Sequence, residues 1–188
     1  MSAPHLQLVE LLKSKGYEPE PEQVEALSDT PRRWWKAIDE MTRGYQVDIA
    51  QVLGRQFDGI PGDNMIVLRD IEFVSLCEHH LMPFTGTACV AYIPNSDRVV
   101  GLSKLARLVE AHACRLQVQE RMTHDIAHDL MIHLEATGAA CIIRGKHSCM
   151  SCRGVRKEAE MVTSCLCGVF RTDLAARTEF LNLSKATA

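Results

Sequence analysis

The chain predicts an α+β domain: an antiparallel four-stranded sheet with two helices on one face, preceded by an N-terminal helical segment. Three observations carry this reading. Four runs rich in β-branched and apolar residues span 65–77, 85–94, 139–147 and 161–171. Two segments of helical periodicity stand together between the second and third runs. The order strand, strand, helix, helix, strand, strand lets both helices bury their apolar stripes on a single sheet face.

In the N-terminal segment, Leu6, Val9, Leu11 and Leu12 form an amphipathic stripe that stops near Gly16. Ser28-Asp29-Thr30-Pro31 predicts a second start, with Thr30 as N-cap, Pro31 at the first helical position and a stop at Gly44. The basic residues Arg32, Arg33 and Lys36 read as a solvated face, while one ring of Trp34-Trp35 is expected in packing and the other near a surface. We place this extension at 1–60 and the main domain at 61–188.

Within the main domain the loop between the first two strands carries His79 and His80, and Asn95-Ser96-Asp97 reads as a turn. A helix follows with Ser103 as its N-cap and Leu105, Leu108 and Val109 on one face. The next runs from about Gln119 to Ala136, carries Met122, Ile126, Leu130 and Leu134, and ends at Gly138. A short helix to about Leu183 closes the chain. A four-stranded sheet leaves two unpaired edges, which a closed ring of identical subunits would cover, so a homo-oligomer with shared sites is expected.

With 188 residues, 46% hydrophobic and 24% charged, one such domain can bury a substantial core. The formal net charge is −3 and no Lys/Arg run exceeds two residues, which argues against an electrostatic grip on nucleic acid. Glu10, Lys13 and Lys15 interrupt the start of the chain, and no window has the length needed to cross a membrane. The eight cysteines are therefore expected reduced, in the cytoplasm. Cys89, Cys114 and Cys141 read as small buried hydrophobes, and Cys165 and Cys167 share a strand face with no role assigned.

The chemistry concentrates in Cys77-Glu78-His79-His80, at the end of the first strand, and His147-Ser148-Cys149, at the end of the third. A thiol and an imidazole three residues apart reach one metal ion, so two such strand ends would have to meet. Spacing leaves two arrangements open. Cys77, His80, Cys149 and Cys152 would close a structural zinc site, whereas three of them with an open position would make a catalytic one. The surplus His79 and His147 favour the second, because hydrolytic zinc needs proton donors and acceptors near its water.

Two further motifs are polar. Gly101-Leu102-Ser103-Lys104, with Arg107 one turn on, puts a hydroxyl and cations at a helix start, which suits phosphate oxygens. Gln117-Val118-Gln119-Glu120-Arg121 offers an acid for a planar pair of N–H donors such as a guanine edge, although an acid there also suits the helix dipole. His124 and His128 stand one turn apart, but with no third ligand evident they read as a solvated face.

These four motifs, Cys77-Glu78-His79-His80, Gly101-Leu102-Ser103-Lys104, Gln117-Val118-Gln119-Glu120-Arg121 and His147-x-Cys149-x-x-x-Arg153-Gly154, resemble in order and spacing those of the GTP cyclohydrolase I family. The resemblance spans roughly 30–183 and includes Thr30-Pro31-x-Arg33-x-x-Lys36 and Arg177-Thr178-Glu179-Phe180-Leu181. It implies a tunnelling fold, a toroidal homodecamer with active sites between subunits, and conversion of GTP and water to 7,8-dihydroneopterin triphosphate and formate. It implies Zn2+ held by Cys77, His80 and Cys149, with His147 protonating purine N7, His79 in proton relay and Ser103 in the ribose rearrangement. Glu120 and Gln119 would bind the guanine end, and Lys104, Arg107, Arg153, Arg33 and Lys36 the triphosphate. Rival readings are a related fold member acting on another purine or pterin, and a non-catalytic zinc-stabilised assembly.

Two segments depart from the family pattern. Arg144-Gly145-Lys146 stands where the family places an acid and an alanine before the histidine, and this added positive charge should lower the pKa of His147. Glu158-Ala159-Glu160-Met161-Val162 replaces a Ser/Thr-rich stretch, and Arg144 is a candidate partner for one of its glutamates.

Overall fold

The computed structural model describes residues 4–59, 64–95 and 98–185. Of the expected turn at Asn95-Ser96-Asp97, the last two residues lie outside the described residues. By compactness the chain divides into two units, Met1–Met41 and Thr42–Ala188.

The first unit holds α1 (Pro4–Ser14), α2 (Pro21–Ser28) and α3 (Thr30–Met41). The Ser28–Pro31 signal marks a junction between two helices: Asp29 caps the C-terminus of α2, and Thr30 already belongs to α3. The sequence reading missed α2, whose start is set by Pro21 in its first turn and a capping box between Glu20 and Gln23. None of the residues of α3 is buried. The expected inward tryptophan is therefore corrected: Trp34 and Trp35 are both exposed and pack edge to face on each other, 4.7 Å between centroids.

The second unit opens with a 3-10 turn (Arg43–Gln46), α4 (Ile49–Leu53) and β1 (Gln56–Asp58). Gly44 lies in that turn rather than ending α3, and the position needs glycine, since a Cβ there would fall 2.1 Å from the carbonyl oxygen of Ala111. Then follow β2 (Ile66–Cys77), β3 (Pro83–Ile93), β4 (Arg98–Val100), α5 (Leu102–Ala113), β5 (Leu116–Gln117), α6 (Gln119–His133), β6 (Gly138–His147), α7 (Ser148–Ser151), β7 (Glu160–Gly168), α8 (Val169–Thr172) and α9 (Leu174–Leu183).

The main sheet has the order β5-β2-β3-β6-β7, so the four expected antiparallel strands are present and a fifth is added. That fifth, β5, is two residues long and parallel to β2, pairing Leu76 with Leu116 and Cys77 with Gln117. A two-residue strand leaves no run for periodicity to detect. The short β1 and β4 form a second sheet. The main core lies between the sheet and α5 and α6, where Leu105, Leu108, Val109, Met122, Ile126 and Leu130 meet Phe73, Phe84, Val90, Tyr92 and Ile143. Ser103 is not the N-cap of α5: Gly101 holds that position and Ser103 lies in the first turn.

Candidate metal and catalytic site

The two motif-bearing strand ends meet because β3 lies between β2 and β6. Leu76 pairs with Pro83, and Phe84 pairs with His147 across the other edge of β3. The loop after β2 is a tight turn in which Leu81 N donates to Cys77 O at 2.8 Å and Leu81 itself adopts φ 52°. Arg121, on α6, pins the loop by pairing with Glu78 and donating to Leu116 O at 2.8 Å. On the facing side, β6 runs into α7, which carries Cys149, and the Ser148 hydroxyl donates to Pro83 O.

This brings one donor atom each from Cys77, His80 and Cys149 to within 4.8 Å of one another. The Cys77 Sγ to His80 Nδ1 distance is 3.6 Å. Two such donors on a tetrahedral zinc, with bonds of about 2.3 Å to sulfur and about 2.0 Å to nitrogen, would stand about 3.6 Å apart, so the set fits the metal. Cys152 is exposed and lies outside this group. Burial, then the nearby Cys77 sulfur, push the Cys149 thiol up, against the pull of Arg153. A cation among the three would reverse that balance and favour the thiolates.

His79 is exposed, its Nδ1 3.9 Å from Cys77 Sγ. His147 stacks on Phe84 with 4.5 Å between centroids and 5° between planes. Its pKa is lowered as expected, but the cause is burial, with Glu120 pulling the other way, rather than the flanking Arg144 and Lys146. Nor is Arg144 set opposite a glutamate: it faces Val162 across the β6–β7 ladder, and Lys146 faces Glu160.

Gln119 is 1% exposed. Its Nε2 lies 3.2 Å from Ile143 O, 3.0 Å from Met161 O and 3.1 Å from Thr163 Oγ1. Two of these are carbonyls, which accept only, so the nitrogen must face them and Oε1 must face His147 Nε2, at 2.9 Å. His147 therefore carries its proton on Nε2 and leaves Nδ1 as the nitrogen that accepts and gives one. Gly145 makes room for this contact, since a Cβ there would lie 2.3 Å from Gln119 Oε1.

Glu120 stands exposed in the first turn of α6, near enough to His147 to act on its charge. The remaining expected residues stand elsewhere. Arg33 pairs with Asp29 and donates to Ala26 O, and Lys36 is exposed on α3. Arg107 lines a cavity of about 440 Å³ with Arg43, Gly44, Val52 and Glu110. Ser103 and Lys104 sit at the start of α5, just after Val100, whose N–H donates to the Tyr92 hydroxyl at 2.9 Å. Tyr92 is eight residues along β3 from Phe84, about 27 Å of strand.

The sequence reading gave no role in the site to Phe84, Met161 and Thr163, which hold His147 and Gln119, and none in the loop to Arg121. Only strand register brings Phe84 beside His147, and no local pattern signals that. The Arg121–Glu78 pair joins two motifs that were both read, so their joint presence was the available signal.

These elements define an α+β chain with a Cys/His metal-binding group beside a histidine held in one tautomer. The protein-family model described as GTP cyclohydrolase I matches residues 6–185. GTP cyclohydrolase 1 of Coxiella burnetii is 48% identical over 160 residues, 85% of this chain and 86% of the relative. That of Leptospira biflexa is 46% identical over 175 residues, 93% of each chain. That of Dictyostelium discoideum is 45% identical over 177 residues, 94% of this chain and 75% of the relative. The archaeosine synthase QueF-Like in its apo form aligns with a TM-score of 0.43 at 14% identity, over 55% of this chain and 95% of that one. The chain belongs to the GTP cyclohydrolase I family.

Proposed function

We propose that the chain is a zinc-dependent GTP cyclohydrolase I, taking GTP and water to 7,8-dihydroneopterin triphosphate and formate, at the start of folate or tetrahydropterin synthesis. The observation that carries the reading is the convergence of Cys77, His80 and Cys149 beside His147 and Glu120. In this reading 61–188 is the tunnelling-fold part, ββααββ, and 1–60 its extension. Cys77, His80 and Cys149 hold the zinc, and Cys152 stays outside.

When bound, zinc supplies Lewis acidity and lowers the pKa of water toward about 7. As the imidazolium, His147 delivers its Nδ1 proton to purine N7 as C8 is attacked, and Gln119 accepts from the Nε2–H that the resulting neutral ring keeps, so that Nδ1 points to the task. Phe84 fixes the ring plane. His79 relays protons between the opened ring and solvent, with which it is in contact. Glu120 accepts the guanine N–H groups, and Arg153 binds the phosphate chain with charge-assisted bonds. The buried Gln119 contributes as a positioning residue for His147 rather than by touching guanine.

Ser103, for the ribose rearrangement, and Lys104 and Arg107, for phosphate, are best supplied by a neighbouring copy. The C-terminal end of α5 leads into β5 beside Cys77, and Ser103 lies ten residues back along that helix, about 15 Å. A homo-oligomer, ten copies by family resemblance, closes this gap and also covers the exposed Trp34 and Trp35, bringing Arg33 and Lys36 into use. No helix among the described residues is long and apolar enough to cross a membrane. We place the enzyme in the cytoplasm, with neither nucleic acid nor membrane as partner.

The test is turnover by zinc-loaded protein on GTP, GDP and guanosine, scoring formate and oxidised pterin together, with His147→Ala as control. Formate and pterin from GTP, lost in the control, are expected. Neither product from a zinc-bearing chain would overturn the assignment.

A further inference from the structure

A second thiol–imidazole cluster lies away from the strand ends that carry Cys77 and Cys149. The face of β7 that carries Thr163, Cys165 and Cys167 is turned toward α6, as the Thr123 Oγ1 to Thr163 Oγ1 contact of 2.6 Å shows. Farther along α6, His128 reaches the same face. Donor atoms of His128, Cys165 and Cys167 all lie within 4.8 Å of one another. The two sulfurs are 3.8 Å apart. Thiolates on a tetrahedral zinc, with bonds of about 2.3 Å, stand about 3.8 Å apart.

We propose that His128, Cys165 and Cys167 form a second metal site for a borderline-soft divalent cation such as zinc. Two sulfurs and one imidazole nitrogen are a donor set that selects zinc over the oxygen-seeking cations. Cys165 and Cys167 are half-buried against the main core, while His128 is exposed, so the cation would sit at the rim where α6 crosses the edge strand and could load from solvent. The fourth position falls to water or to His124, which stacks on His128 with 4.0 Å between centroids. A cation here would tie α6 to β7, the strand that ends the sheet on this side. His128 looked like part of a solvated pair only because the sulfurs beside it come from a strand 37 residues on (165 − 128 = 37).

The full-length chain, purified anaerobically with thiols reduced and loaded with zinc, should carry two zinc ions per chain by elemental analysis. Cys165→Ser/Cys167→Ser should retain one, and Cys77→Ser/Cys149→Ser should also retain one. With cobalt(II) in the latter variant, the remaining site should show thiolate-to-cobalt charge transfer. His128→Ala, at an exposed position where folding is not at stake, should weaken that cobalt binding by at least about tenfold. One zinc per wild-type chain would overturn the proposal. So would cobalt binding that ignores His128, or recovery of Cys165 and Cys167 as a disulfide after zinc loading.

Discussion

The two ends of the main sheet are built differently. At the end where β2 and β6 finish, Cys77, His80, Cys149, His147 and Glu120 converge within a single chain. At the other end, where β3 finishes and α5 begins, Ser103 and Lys104 stand beside no such cluster among the described residues, although they belong to the motifs that carry the family resemblance. In the proposed function the metal-holding half of the site is thus a property of one folded chain, whereas the groups proposed for ribose and phosphate would come from a second copy. That proposal would account for so polar a helix start as Gly101-Leu102-Ser103-Lys104 sitting far from the chemistry it is expected to serve.

The largest effect that would break this contrast is subunit complementation. Cys77→Ser should abolish pterin formation by removing a metal ligand, and Ser103→Ala should abolish it by blocking the later rearrangement. If each site draws Cys77 from one copy and Ser103 from the next, oligomers reassembled from equal parts of the two variants regain about a quarter of wild-type turnover. A mixture as inactive as its components would mean that one chain supplies both residues, and the contrast between the two ends would be wrong.

A middle-sized effect sharpens the role of the end where β2 and β6 finish. Glu120→Gln removes the charge proposed to receive the guanine N–H groups, and loss of a charge-assisted bond predicts a fall in kcat/KM for GTP of about tenfold to a hundredfold. Because the Glu120 carboxylate raises the His147 pKa, the pH-profile limb set by His147 should also move to lower pH. An unchanged profile, with steady-state constants measured from acid to alkaline pH, would place Glu120 outside the field of His147.

Much of this was legible before any coordinates. Strand and helix periodicity located β2, β3, α5, α6, β6 and β7 within a few residues, since each has a buried face long enough to repeat. What escaped was non-local or short. The two residues of β5 pair with β2 only because α5 delivers them there. The exposure of both tryptophans of α3 also escaped, because two adjacent rings carry no periodicity that says whether either is packed. In the site, residue types and spacing pointed to a metal site where two strand ends meet and left Cys152 in or out, while the family resemblance implied Cys77, His80 and Cys149, the three that converge. The inward turn of Gln119 and the tautomer of His147 depended on which carbonyls the β6–β7 ladder presents.

That last arrangement yields the smallest and most local prediction. Gly145 faces Gln119 so closely that an alanine Cβ would lie 2.3 Å from Oε1, a separation that real contacts do not reach. Gln119 is poorly placed to yield, because it is buried and its nitrogen is tied to Ile143 O and Met161 O. In Gly145→Ala the oxygen must therefore leave His147 Nε2, while stacking on Phe84 still holds the ring in place. The neutral ring left when Nδ1 gives up its proton then has no acceptor for its Nε2–H and divides between two tautomers, so release of the proton from Nδ1 is less favoured. We expect kcat to fall by about tenfold, less than the full contribution of a general acid, with KM and metal content unchanged. Gln119→Ala should cause a similar loss, and the double variant little more than either alone, since both act through the same contact. Additive losses would mean that Gly145 and Gln119 influence catalysis separately, and that His147 takes its tautomer from something else.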